Sequence, residues 1–288
     1  MVRKDLHVTF LVPILLSALP VTVGGSPGLD VQGHRGARGL RPENTLPAFE
    51  KALELGVTTL EMDIQTTSDR VLVVFHDQHL DAKRCVSDTG HGVPREPFKD
   101  LRFEQLAQID CGSQPSSKFP EQQPVPGAGV PRLEQVFDLA RDADYPVQLS
   151  IEIKMQKRKH GIPIDEVARL LVDLVRRYGF ETRTIVQSSD PEALNAVKEL
   201  APELRRSVLV KRRGSYDRLL RETGSPILSP RYDRLKRKDV TRLQARGVQI
   251  IPWTVNEPDD IRRMIAWGVD GIISDYPDRV LAALNEAR

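Results

Sequence analysis

The chain has 288 residues, 40% hydrophobic and 28% charged, a balance that builds a full core and excludes disordered and collagen-like architectures. Its 42 basic and 40 acidic side chains leave a net charge of +2, so no global field argues for nucleic acid or an anionic membrane as a partner. Cys85 and Cys111, the two cysteines, are too far apart for a CxxC motif, which removes cysteine-rich metal sites.

In chain order, Arg3 and Lys4 precede an apolar stretch over 8–23 that Pro13 and Pro20 interrupt, followed by Gly24, Gly25 and Ser26. That is the n-, h- and c-region order of a secretory signal peptide, expected over 1–25, with one domain over 26–288. The stretch is short for a membrane span of about 20 residues, so no stable membrane insertion is expected after cleavage. An uncleaved anchor and a cytosolic apolar arm are the alternatives. Export to a periplasmic or extracellular space makes a Cys85–Cys111 bridge the expectation, against two free thiols.

From about residue 29, β-branched runs alternate with helical patterns. Strands are predicted over 29–33, 58–64, 147–153, 184–187, 207–210, 227–229, 248–255 and 271–274. Helices are predicted over 46–55, 133–140, 164–178, 191–200, 216–222, 238–245, 259–266 and 279–286. Matching counts point to an α/β fold, a (β/α)8 TIM barrel. One run, 71–75, follows the second strand after a short polar turn, too short for a parallel crossover, so it should pair back as a hairpin. Residues 78–131, rich in Gly, Pro, Ser and Gln, read as a segment inserted after the second barrel strand, before its helix.

In such a barrel, functional groups sit at the C-terminal ends of the strands. Four ends here are unusually polar: His34 and Arg35 after the first strand, Glu61 and Asp63 on the second, His76 and Asp77 after the hairpin strand, and Glu152 and Lys154 on the third. Strand alternation points Glu61 with Asp63, and Glu152 with Lys154, to one face. Three carboxylates packed together raise one another's pKa unless a cation joins them, and all-oxygen donors favour one divalent cation, Mg²⁺ or Ca²⁺. The plain alternative is an ion-pair network of strand-end charges with Lys154 and Arg35. A free imidazole titrates close enough to neutrality to give or take a proton, so His34 and His76 suit acid-base work at either side of a reacting centre. A turn near Ser68 and Asp69 would bring His76 almost opposite Glu61. Arg35 and Lys154 beside a metal make an anion site, most naturally for phosphate. Together these groups suggest phosphoryl transfer or phosphodiester cleavage.

The segments HRGARGLRPENTLPAFEKALELG over 34–56, LEMDIQTTSD over 60–69, VVFHD over 73–77, IEIK over 151–154, and WTVN and GVDGIISDYP near the C-terminus resemble the glycerophosphodiester phosphodiesterases. The resemblance implies a barrel with an insertion after strand two and metal-dependent hydrolysis of small-molecule glycerophosphodiesters to glycerol 3-phosphate and an alcohol. It implies His34 and His76 as the acid-base pair, Glu61, Asp63 and Glu152 as metal ligands, Arg35 and Lys154 as phosphate contacts, and Trp253 at the glycerol end. Glu43 could support Arg35 or the metal, or cap the helix near Leu46. The chain departs from the family pattern at Arg70, where Gly is usual, at Arg84-Cys85, where Arg-Thr-Thr is usual, and at Ser188-Ser189, where Ser-Phe is usual.

Two other functions stay open from the sequence. Phe98, Leu101, Phe103 and Phe119 could form an apolar rim for a lysophospholipase D-like activity, although they fit better as the insertion's own small core. A catalytically silent phosphodiester-binding protein would have no need of both histidines and all three carboxylates. The preferred headgroup, the acid and base identities, and the oligomeric state are not legible.

Overall fold

The computed structural model describes residues 28–87, 92–154 and 161–286. The expected signal segment lies outside the described residues, and no helix among those residues is long and apolar enough to cross a membrane. In chain order the elements are β1 (Asp30–Gly33), α1 (Leu46–Leu55), β2 (Thr59–Thr66), β3 (Leu72–Val74), β4 (Val86–Ser87), β5 (Ile109–Asp110), α2 (Leu133–Arg141), β6 (Gln148–Ile153) and α3 (Ile164–Tyr178). Then follow β7 (Thr184–Ser188), α4 (Pro191–Leu200), β8 (Arg205–Val210), α5 (Tyr216–Thr223), β9 (Ile227–Pro230), α6 (Arg237–Gln244), β10 (Gln249–Ile250), α7 (Pro258–Ala266), β11 (Gly271–Ser274) and α8 (Pro277–Glu286).

Eight parallel strands run in the order β10-β9-β8-β7-β6-β2-β1-β11. The ladder stops between β10 and β11, where backbone bonds from Asp270 N to Ile250 O (2.9 Å), Ile273 N to Pro252 O (3.0 Å) and Val255 N to Ile273 O (3.0 Å) bridge the seam. The result is the nearly closed (β/α)8 barrel that the alternation predicts. Strand seven is shorter than expected, β10 covering two residues of the 248–255 run, because Pro252 has no N–H to continue a ladder. β8 is longer, taking in Arg205 and Arg206, whose polarity hides them from a hydrophobic pattern; the Arg206 guanidinium donates to the carbonyls of Leu204 (2.8 Å) and Pro202 (3.3 Å).

Burial explains the layers. In β2 all eight residues are buried, as expected of a strand covered on both faces. Leu60, Met62 and Ile64 join the layer between sheet and helices, as do Leu149, Ile151 and Ile153 of β6. Alternation therefore turns Glu61, Asp63 and Glu152 inward. Helix α3 buries Val167, Ala168, Leu171, Val172 and Val175 against the sheet and ends at Gly179, whose N–H reaches the carbonyls of Val175 and Arg176. Inside the barrel, Ile185, Ile227, Ile251 and Ile273 fill the lower part, with Trp253 packed against them. That apolar plug forms the floor under the polar mouth.

β3 pairs antiparallel with β2, Ile64 opposite Val74 and Thr66 opposite Leu72, so the hairpin is as expected. The turn centre lies at Asp69, one half-step beyond the expected position. Arg70 itself takes the left-handed conformation at φ 65° that the family's glycine would take freely. Its side chain bonds Ser68 O (3.0 Å) and Glu166 Oε1 (2.5 Å).

The insertion has its own organisation. Val73, Phe75, Leu80, Cys85, Phe98, Leu101, Leu106, Ile109 and Val130 form a separate cluster, β4 pairs with β5, and Cys85 is joined to Cys111 by a disulfide. Phe98 and Leu101 are 1% and 2% exposed, so they build this core and offer no apolar rim. Phe103 packs against the same cluster. Phe119 does not: it leaves the insertion core and meets Tyr276 edge-on at the barrel mouth, the Arg38 guanidinium over its ring.

Candidate active site

The site begins where β1 ends. Arg35 and Gly36 both adopt positive φ, 54° and 83°, and a side chain at Gly36 would press its Cβ to 2.5 Å from the Ala48 carbonyl carbon. This tight turn aims the Arg35 N–H at Glu61 Oε2 (2.9 Å) and brings the Arg35 guanidinium to Asp63 Oδ2 (3.1 Å) and Glu43 Oε1 (2.8 Å). A bulky residue held left-handed costs on the order of 1–2 kcal/mol, and here the contacts to three carboxylates offset it.

The strand register assembles the acidic cluster. Asp63 lies directly beside Glu152, and Glu152 beside Gln187. Glu61, Asp63 and Glu152 each present an oxygen, all within 4.8 Å of one another. Burial and the neighbouring Asp63 push the Glu152 carboxyl up to about 7 and the Glu61 carboxyl well above its usual range. Burial also opposes ionisation of Asp63, but Arg35 and Lys154 hold it well below the usual range. Lys154 Nζ sits 2.9 Å from Glu152 Oε1 and 3.2 Å from Asp63 Oδ1; beyond the charge of that ammonium, the buried Asp63 Oδ1 has no hydrogen-bond partner among the described residues. The donor set is all oxygen, two of its carboxyls resist ionisation, and one buried oxygen is underused. Such a set could hold a hard metal ion, whose charge would relieve the repulsion.

Both histidines reach this mouth. His34 Nδ1 is 2.6 Å from Asp275 Oδ1, and its Nε2 lies 3.9 Å from Glu61 Oε2. Burial, against the pull of Asp275, lowers the imidazole to about 4, so at neutral pH the ring is uncharged and its Nδ1–H donates to Asp275. Asp275 in turn pairs with the Arg38 guanidinium, whose Nε lies 2.8 Å from Oδ1, and accepts a hydrogen bond from Asn256 Nδ2 (2.7 Å). His76 is 32% exposed, its Nδ1 2.7 Å from Asp77 Oδ1. Asp77 also pairs with Arg84 Nη2 (2.5 Å); the bond to His76, followed by charge from His76 and Arg84, holds it at about 2 against burial.

Every site residue expected from the sequence lies in this mouth. An inner cavity of about 260 Å³ is lined by His34, Arg35, Glu61, His76, Glu152, Lys154 and Trp253, and Asp63 lies beneath it, ion-paired with Arg35 and Lys154. Trp253 is fixed by an Nε1–H bond to Ser229 O (2.8 Å). A second cavity of about 580 Å³, between the mouth and the insertion, shares Arg35, Arg38 and His76 with the first. His34 lines the inner cavity alone, whereas His76 borders both. Glu43 acts on arginines and does not cap: it accepts from Arg35 (2.8 Å), Arg38 (3.2 Å) and Arg84, while α1 starts after Thr45 with no side-chain cap.

Sequence reasoning missed Asp275, Asn256, Arg38, Arg84 and Gln187, whose Nε2 donates to Glu61 Oε1 (2.6 Å). Gln187 is the next-to-last residue of β7 and Asp275 directly follows β11, so only their place near strand ends, with no charged cluster beside them in the sequence, could have pointed to them.

Residues 34–279 match the Glycerophosphoryl diester phosphodiesterase family. The chain belongs to this family. A glycerophosphodiester phosphodiesterase of Caldanaerobacter subterraneus subsp. tengcongensis is 34% identical over 87% of this chain and 96% of its own. A crystal structure from Silicibacter pomeroyi is 32% identical and covers 90% of this chain and 94% of its own at TM-score 0.83. An Oleispira antarctica phosphodiesterase in complex with the product sn-glycerol-3-phosphate shares the fold at TM-score 0.76 and 22% identity, covering 89% of this chain and 96% of its own. This glycerophosphodiester phosphodiesterase hydrolyses glycerophosphodiesters, and Glu61, Asp63 and Glu152 form a group that could hold a metal ion.

Proposed function

We propose that this phosphodiesterase is exported and metal-dependent, and that it releases glycerol 3-phosphate and an alcohol by two-histidine acid-base catalysis. The observation that carries the reading is the pair of histidines, each with a carboxylate on Nδ1, at one mouth with the Glu61-Asp63-Glu152 cluster. The product carried by the Oleispira antarctica enzyme supports glycerol 3-phosphate as the retained half.

Glu61, Asp63 and Glu152 would hold one divalent cation, Mg²⁺ or Ca²⁺. When bound, it supplies Lewis-acid stabilisation of charge on the phosphoryl oxygens. Arg35 and Lys154 add charge-assisted hydrogen bonds to the same oxygens. Trp253, at the inner cavity, would take the glycerol carbons. His34 has Nδ1 committed to Asp275, which leaves Nε2 to accept a proton from the nucleophile, either water or the glycerol 2-hydroxyl already close to phosphorus, in which case water then opens the resulting cyclic phosphate to glycerol 3-phosphate. His76, bordering both cavities, would protonate the departing alcohol oxygen as the P–O bond breaks. Asp77 orients it as Asp275 orients His34.

Export is supported by the order of charged, apolar and small residues over 3–26 and by the Cys85–Cys111 disulfide, a bond kept in oxidising compartments.

The test is product analysis with glycerophosphoglycerol and glycerophosphocholine. Glycerol 3-phosphate and the free alcohol should accumulate with Mg²⁺ or Ca²⁺ present and stop when a chelator is added. Full turnover in metal-free enzyme, or release of choline phosphate with free glycerol from glycerophosphocholine, would overturn the reading.

A further inference from the structure

We propose that the cavity between the barrel mouth and the insertion is the alcohol subsite, and that it favours alcohols carrying an anionic group, such as a phosphate monoester, over quaternary ammonium alcohols. This rests on the diesterase reading above and adds the chemistry of the leaving group.

Position comes first. The cavity, about 580 Å³, joins the inner one at Arg35, Arg38 and His76. A diester with its phosphate at the carboxylate cluster and its glycerol against Trp253 has its alcohol across His76, and this is the space beyond. The Cys85–Cys111 disulfide fixes one wall, Cys111 itself lining the cavity.

Charge comes second. Arg35, Arg38 and Arg84 are ion-paired with Glu43, Asp77 and Asp81 in the cavity wall, three cations against three carboxylates. Arg35 and Arg38 also reach Asp63 and Asp275; Arg35 serves the phosphate, and Arg38 and Arg84 are held by their carboxylates, so none of the three is spare for the alcohol. Lys83 and Lys118 also line the cavity, and among the described residues neither ammonium is ion-paired with a carboxylate. These two are the cations of this cavity left over for the leaving alcohol. An anionic group on the alcohol would meet both lysines without breaking an existing pair.

Aromatic surface comes third. A quaternary ammonium is recognised by ring faces. Among the described residues Phe119 is the one Phe, Tyr or Trp lining it, and the Arg38 guanidinium stands 4.7 Å over its ring while Tyr276 packs edge-on at 6.3 Å. A cation brought to this ring would meet a cation already there. The cavity therefore lacks the group that choline needs and repels its charge.

The experiment compares kcat/KM for three diesters: glycerophosphocholine, glycerophosphoglycerol, and glycerophosphoglycerol bearing a terminal phosphate on the leaving glycerol. The expected order is phosphorylated first, neutral second and choline last. The ratio of phosphorylated to neutral substrate should fall about tenfold in the Lys83→Ala/Lys118→Ala variant, the sum of two exposed ion pairs. It should invert in Lys83→Glu/Lys118→Glu, and it should shrink in high salt. A ratio the same in wild type and both variants, with the neutral diester still hydrolysed, would overturn the subsite and leave the diesterase reading standing. A preference for choline would do the same. No turnover of any diester with Mg²⁺ or Ca²⁺ supplied would remove the diesterase reading and the subsite with it.

Discussion

His34 and His76 serve one mouth but belong to different parts of the molecule. His34 stands at the end of a barrel strand, 12% exposed, with Asp275 from the last strand on its Nδ1. His76 follows the hairpin strand, 32% exposed, with Asp77 from its own segment on its Nδ1 and Arg84 of the disulfide-clipped insertion behind that. The barrel side is fixed by long-range pairing across 241 residues, and the insertion side by local contacts, a small core and one covalent bond. Rigidity and access are divided between them. Parallel strands set the carboxylates in register, while the insertion shapes the space through which an alcohol must leave.

The largest effect should come from breaking the barrel side at its centre. Asp63→Asn and Glu152→Gln should each lower kcat by about 10³-fold, since the charge stabilisation at stake is several kcal/mol, and both should still melt cooperatively. Steady-state kinetics beside circular-dichroism melts check this. Activity within tenfold of wild type would show that the cluster is only an ion-pair network.

Breaking the insertion side should act on stability before chemistry. The disulfide closes a loop with a sequence separation of 26, so removing it by Cys85→Ser/Cys111→Ser should cost on the order of 3 kcal/mol in the chain-entropy model. Hydrogen exchange should speed up over 78–131 while β6 to β8 keep their protection. Equal loosening of barrel and insertion would contradict their division.

A smaller effect sharpens the barrel side. Burial alone would raise Asp275, but His34, Arg38 and Asn256 hold it at about 2 against an ordinary 3.8. A depressed carboxylate stabilises the fold above its unfolded value and loses that contribution as pH falls through its folded value. Asp275→Asn should therefore cost roughly 2 kcal/mol at pH 7, and the gap from wild type should close between pH 4 and pH 2. Urea midpoints across that range are the measurement; a gap that stays constant would mean the carboxylate's charge is not what stabilises it.

The two regions also differ in how far they could be read from the chain. Barrel strands announce themselves as β-branched runs between helical patterns, and period-two alternation was enough to turn Glu61, Asp63 and Glu152 inward. Partners that depend on closure were not legible. Asp275 reads as a polar residue before Pro277, and only the return of β11 to β1 carries it to His34. Gln187 has no charge to draw notice, and Arg38 and Arg84 sit in loops whose course no periodicity sets. Within the insertion, β4 and β5 are two residues each, below what any pattern can register. Phe119 shows the same gap, since composition put it in the insertion core and the fold put it against Arg38.

The division of labour is tested most directly by varying the leaving group. Replacing the alcohol of a glycerophosphodiester by p-nitrophenol supplies a group that leaves without protonation. With the natural alcohol, His34→Ala and His76→Ala should each lower kcat by about 10²-fold or more, the usual worth of a general acid-base step. With p-nitrophenol, His76→Ala should recover to within about tenfold of wild type while His34→Ala stays at its full loss, because the aid to departure alone becomes dispensable. Recovery of His34→Ala in place of His76→Ala, or recovery of neither, would contradict the assignment of the nucleophile to the barrel side and of the departing alcohol to the insertion side.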